Sequence, residues 1–155
     1  MALDNLQNDI NNLTAFDWGE ELTRIVETNT DALVQLQEEQ LYEGIDSNGS
    51  PITLEGNGYA KSTFEIKTRK GQPTDRVTWR DTGELYASLH AIVEDGTFTF
   101  ESDSEQEKYD TMIKRSGEDV IGLNEDKRLQ FGNNVTLPAI TQIFKDKTGY
   151  LISQQ

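Results

Sequence analysis

The chain has no cysteine, one histidine, three prolines and only 34% apolar residues over 155 positions. Without cysteine there are no disulfides, no thiolate nucleophile and no Cys-type zinc or iron–sulfur centre. His90 alone cannot build a His-rich metal site. Positive charge is also scarce: 14 Lys and Arg stand against 28 carboxylates, for a formal net charge of -14. Such a surface repels phosphate, which argues against gripping duplex DNA by neutralising its backbone. No apolar run is long enough to cross a bilayer. The opening Met1-Ala2-Leu3-Asp4-Asn5 lacks the basic-then-apolar pattern of a signal peptide, so the expectation is a soluble protein made in a cytoplasm.

What is present suffices for one core. Two Trp, five Tyr and six Phe, with spaced Leu, Ile and Val, argue against wholesale disorder despite a mean hydropathy of -0.67. The expected organisation is an amphipathic arm over 1–16, a single domain over 17–148 and a short tail over 149–155.

Leu3, Leu6, Ile10 and Leu13 recur at helical spacing on an Asn- and Asp-rich background, a stripe too narrow to hold a helix alone in water. It can dock on its own domain or on a neighbour. Asp17, with Glu20 three residues on, opens a stronger helix bearing Trp18, Leu22, Ile25 and Val26. Thr28 to Asp31 either interrupts that helix or lies on its wet side. Leu33, Leu36 and Leu41 continue the stripe until Gly44 stops it.

Residues 44–58 are rich in turn formers, with Ile52 and Leu54 as a short extended piece. Periodicity leaves Tyr59 to Lys70 open, helical at first and then extended, with Phe64 and Ile66 inward and Glu65 and Lys67 outward if it is a strand. Arg69 to Asp75 reads as a mobile loop holding a rare concentration of positive charge. Arg69, Lys70 and Arg76 are therefore the candidate contacts to an acidic neighbour or to a DNA-facing edge.

Glu84 to Ser88 reads as one helical turn. A hairpin then pairs Val93 with Phe98 and Ala91 with Phe100 across Asp95-Gly96, with His90 opposite Glu101. Ser104 and Glu107 cap a helix that Gly117 ends. Asn124 caps a last helical region with Leu129, Ile140, Ile143 and Phe144 inward, kinked or divided at Pro138. The fold class is α+β: long helices packed on a small antiparallel sheet with a central hairpin.

Catalytic patterns are thin. Asp46 followed by Glu65-Ile66-Lys67 has the residue types with which metal-dependent nucleases hold Mg²⁺, but Glu125-Asp126-Lys127 repeats the triplet at a plain helix start. Asp46 to Ser50 faintly has the alternate oxygens of a calcium loop. Pro51 and Asn57 then stand where an EF-hand needs Gly and Glu. A tight turn is the simpler account. His90 has no nucleophile elbow beside it. Glu20-Glu21 and Glu38-Glu39 diverge by about 100° on a helix and read as solvated faces. The expectation is no enzyme, no cofactor and no metal. Gly44, Asp46, Gly49, Asp81 and Gly83 are candidate structural turns.

The order of these features carries further information. It runs Gln40-Leu41, Gly44-Ile45-Asp46, Gly49, Tyr59-Ala60, the basic loop to Pro73, Asp81-Thr82-Gly83, the hairpin, Glu107-Lys108, Gly122-Leu123 and the segment after Asn124. In this order the chain resembles, over about residues 36–145, the small head–tail connector and tail-completion (neck) proteins of tailed bacteriophages. The resemblance implies a non-enzymatic virion protein made in the bacterial cytoplasm. It would form a homo-oligomeric ring beside portal, connector or tail proteins, with DNA only as transiting cargo and no membrane. The competing expectation, from charge alone, is an acidic inhibitor or immunity-type protein covering a basic partner.

Overall fold

The computed structural model describes residues 2–55, 58–103 and 106–149. Helix α1 (Ala2–Thr14) lies against α8 (Leu137–Thr148), so the arm docks on its own chain. Phe16 joins that contact, with Lys147 Nζ 3.9 Å above its ring and Trp18 edge-on to it. The indole of Trp18 donates back to Leu13 O, closing the link between arm and domain.

Asp17 caps α2 (Trp18–Glu27), its Oδ1 accepting the Glu20 N–H at 2.9 Å. Thr28 and Asn29 do interrupt the run. Thr28 Oγ1 donates to Arg24 O and Asn29 Nδ2 donates to Ile25 O, so their side chains take carbonyls near the end of α2. Helix α3 (Thr30–Glu43) then sets off separately and becomes the axis of the molecule. Its Leu33 and Leu36 enter a cluster with Phe100, Leu123 and Phe131. Leu41 enters another with Ile52, Leu54, Val77, Leu85, Tyr86, Leu89, Met112 and Val120.

Gly44 ends α3 in the left-handed region, at φ 75°. A Cβ there would lie 3.0 Å from Arg76 Cβ and 3.1 Å from Val77 O. The position therefore combines a conformation costly for an L-residue with a contact that has no slack. Gly44→Ala is expected to cost about 2–4 kcal/mol by these two effects, read as a lower midpoint in urea. An unchanged midpoint would show that the chain can move away from Arg76.

Helix α4 (Lys61–Arg69) corrects the half-strand expectation for Tyr59 to Lys70. Phe64 and Ile66 are exposed and Lys67 is buried, the reverse of the strand assignment. The alternation Thr63-Phe64-Glu65-Ile66-Lys67 imitates a strand. Two residues along a helix differ by about 200°, so alternate positions do not share a face. Lys67 and Arg69 in the last turn also suit the negative end of the helix dipole.

After the single turn α5 (Glu84–Ala87), β1 (Leu89–Glu94) pairs antiparallel with β2 (Thr97–Ser102). The register is the expected one: Val93 with Phe98, Ala91 with Phe100 and His90 with Glu101. Asp95 and Gly96 both have positive φ, 48° and 74°, as a two-residue turn matched to strand twist requires. Both α2 and α3 pack on β1, which places the long helices on the small sheet.

Helix α6 (Gln106–Ser116) follows, and Gly117 turns the chain into a short 3₁₀ turn at Glu118–Val120. The expected cap at Ser104 lies outside the described residues. Helix α7 (Glu125–Phe131) is capped by Asn124, whose side chain accepts the Lys127 N–H at 2.9 Å. A π-type turn over Gly132–Thr136 then joins α7 to α8, with Pro138 just beyond it at the head of α8. The wide turn accommodates a residue that cannot donate a helix hydrogen bond. Leu129 does not face inward as expected. It is 56% exposed, and Phe131 is the α7 side chain that reaches the core.

Candidate functional site

Two fully buried glutamines on α3 hold the far end of the domain. Gln37 Oε1 accepts the Gly122 N–H at 2.8 Å. Gln40 Nε2 donates to Gly122 O and its Oε1 accepts the Asn124 N–H, both at 2.8 Å. The segment between the 3₁₀ turn and α7 has no sheet to bond to, so α3 side chains supply its partners. Gln37 Nε2 has no hydrogen-bond partner among the described residues. Beside it, Lys127 of α7 reaches Glu39 Oε2 at 3.2 Å and Glu43 Oε1 at 3.0 Å on α3. Burial works against the Lys127 charge, but the hydrogen bonds it donates to Glu43 and Glu39 hold its pKa above the ordinary value.

The turn after α3 is built by Asp46, whose Oδ1 accepts the N–H groups of Asn48 and Ser50 at 2.9 and 2.8 Å. Gly49 sits in it at φ 79°. This is the Asx-type turn expected there. Asp46 Oδ1 is thereby committed to backbone N–H groups of the turn.

Cationic residues are concentrated along α4 and the segment that leads to α5. Residues 61–80 carry Lys61, Lys67, Arg69, Lys70, Arg76 and Arg80 against Glu65 and Asp75. Within this stretch Thr78 is wholly buried. Its N–H donates to Tyr59 Oη at 2.9 Å, its C=O accepts Tyr86 Oη at 2.5 Å, and its Oγ1 accepts Lys67 Nζ at 3.2 Å. Lys67 Nζ also donates to Arg80 O at 2.8 Å and lies 4.9 Å from the centre of the Tyr59 ring. Burial pushes the Tyr86 phenol up, which keeps it a donor. The next residue, Trp79, has φ +51°, an uncommon conformation for a bulky residue. Its indole donates to Ser116 Oγ at 2.9 Å, and Arg115 lies over its ring. Two tyrosines, a lysine and a serine thus hold a strained turn in place.

The three basic residues singled out from the sequence separate here. Arg76 is part of the scaffold: its Nε donates to Tyr42 O at 2.9 Å and its guanidinium stacks over the Tyr42 ring. Lys70 is bonded to Asp81 at 2.5 Å, which lowers the Asp81 pKa. Arg69 is exposed at the end of α4. Arg80, not singled out from the sequence, is exposed and stacks on both Tyr42 and Tyr86. Those rings are 38 residues back and six ahead in the chain, so no local pattern could have announced the stack. Gly83, at φ 92°, starts α5 just after Asp81.

The nuclease-like triplet does not assemble as a strand would place it. Glu65 faces solvent and Lys67 faces the core. Among the described residues no group of three or more His, Asp or Glu converges as metal ligands. His90 Nδ1 lies 3.5 Å from Asp103 Oδ2 on the outside of the hairpin.

A surface hollow of about 1080 Å³ lies at the start of α2 and the hairpin tip. Asp17, Glu20, Glu21, Glu27 and Asp95 line it, with Ala15, Phe16 and Leu22 as apolar wall. Arg24 also lines it and is paired with Glu21. Compared with protein-family models, curated proteins and solved structures, the chain matches none.

Proposed function

We propose that the chain is a structural subunit that forms a ring at the neck or tail end of a tailed phage, joining head to tail or completing the tail, with DNA passing through. The order of motifs noted above supports this reading. The observation that carries it is apolar surface left uncovered by a fold already docked on itself. Leu6 and Ile10, one turn apart on α1, remain 46% and 44% exposed although α1 rests on α8. A narrow-striped helix of 13 residues needs packing to persist, and Leu6 and Ile10 leave part of its stripe open to a neighbour. Ring closure around DNA also suits an acidic surface, which lets the duplex slide without sticking.

Two measurements test the proposal. Electron microscopy of the purified protein, and of virions carrying a tagged copy, should show rings and a neck or tail-end location. A phage deleted for the gene should lose infectivity. A deletion phage of full infectivity would sink the proposal, and a tight one-to-one complex with a basic protein would favour the inhibitor reading.

The purified protein is also expected to leave DNA uncut in Mg²⁺ or Mn²⁺. Among the described residues no three carboxylates converge, and a net charge of -14 opposes the collection of phosphate. Single-turnover cleavage that disappears in Glu65→Gln would overturn that expectation.

A further inference from the structure

We infer that copies of this chain join head to tail, the outer face of α4 of one copy seating in the acidic hollow beside α2 of the next. The inference rests on the ring reading and names the surfaces that close the ring. On α4, Thr63 and Lys67 face inward, which turns the ridge Lys61, Glu65 and Arg69 to solvent. Phe64 and Ile66 flank the ridge at 49% and 42% exposed. The outer face is therefore apolar at its flanks and cationic at both ends.

The hollow has the complementary composition: carboxylates of Asp17, Glu20, Glu27 and Asp95 around an apolar wall of Ala15, Phe16 and Leu22. Its volume of about 1080 Å³ admits an aromatic side chain and part of a helix face. The two surfaces share no residue; in the hollow five carboxylates outnumber one cation, Arg24, which is paired with Glu21, and on the ridge Lys61 and Arg69 outnumber Glu65. Charge is segregated along the chain in the same sense. Residues 4–39 carry Arg24 as their sole cation among many carboxylates, whereas 61–80 are predominantly cationic. A second copy presents both halves of the match in the required ratio, and opposite charges favour that encounter over like-to-like contact. Contact between two different surfaces is heterologous, so it propagates from copy to copy until rotation closes a ring.

The absence of cysteine makes the test clean. Phe64→Cys combined with Glu20→Cys in one chain should give, on mild oxidation, a ladder of disulfide-linked dimers, trimers and higher forms. Either single variant should give no ladder, because each interface then holds only one cysteine. Lys61→Glu with Arg69→Glu should weaken assembly in sedimentation at low salt by at least about tenfold. Glu20→Lys with Glu27→Lys should do the same, and mixing the two variants should restore assembly, because each then offers the other a matched pair of surfaces. If the wild type assembles while the ladder is absent and both reversed variants assemble equally well, the inference falls and the ring reading stands. If the wild type remains a monomer at every concentration and gives no ladder, both fall.

Discussion

Lys67→Glu is expected to leave the protein largely unfolded, a loss of more than about 4 kcal/mol against a typical domain stability of roughly 5–15 kcal/mol. Lys67 is 4% exposed, and its ammonium is surrounded by Thr78 Oγ1, Arg80 O, Gln72 Oε1 and the face of Tyr59. All of these present electron density to a cation. A carboxylate in the same place would be buried, unpaired and repelled on each side. Lys67→Met should cost less, about 1–3 kcal/mol, because it leaves the Arg80 carbonyl without its donor but also removes the expense of burying a charge. Glu65→Lys, two residues away and exposed, should stay within about 0.5 kcal/mol. Urea denaturation followed by circular dichroism measures all three. Equal, mild effects at positions 65 and 67 would mean that the segment is a strand with both charges in water, and α4 would be wrong.

Gln40→Leu is expected to cost about 3 kcal/mol, since it strands the Gly122 carbonyl and the Asn124 N–H in an apolar interior. For a chain of this size that corresponds to a fall in Tm of roughly 6–12 °C. Gln37→Leu provides the contrast. It orphans the Gly122 N–H but removes an amide nitrogen that has no partner among the described residues, so the two effects nearly cancel and about 1 kcal/mol or less remains. A matching loss at both positions would show that volume, and not the hydrogen bonds to Gly122 and Asn124, governs this part of the core.

These two sites also mark how far the residues could be read in order. Gln40, Gly122 and Asn124 stand out as an ordered set of motifs in the sequence, but the reason for their company is a set of contacts across more than 80 positions. Helix caps at Asp17 and Asn124, the stop at Gly44, the Asx turn at Asp46 and the whole register of the hairpin were legible because each is decided within a few residues. Turn chemistry and strand alternation act locally and need no partner from elsewhere.

The failures have the opposite character. Alternation through Phe64, Glu65, Ile66 and Lys67 suits a strand until the positions of Tyr59, Thr78 and Arg80 are known, because only they make an interior place for an ammonium group. Leu129 is as apolar as Phe131, yet the angle at which α7 lies on α3 buries the second and exposes the first. Arg76 and Lys70 carry the same charge as Arg69, but Tyr42 and Asp81 have already engaged them. By itself the sequence determined the α+β class, the acid excess, the hairpin and most element ends. The tertiary structure decided which charges are free and which apolar side chains are left outside, because burial and pairing depend on distant elements that no local pattern encodes.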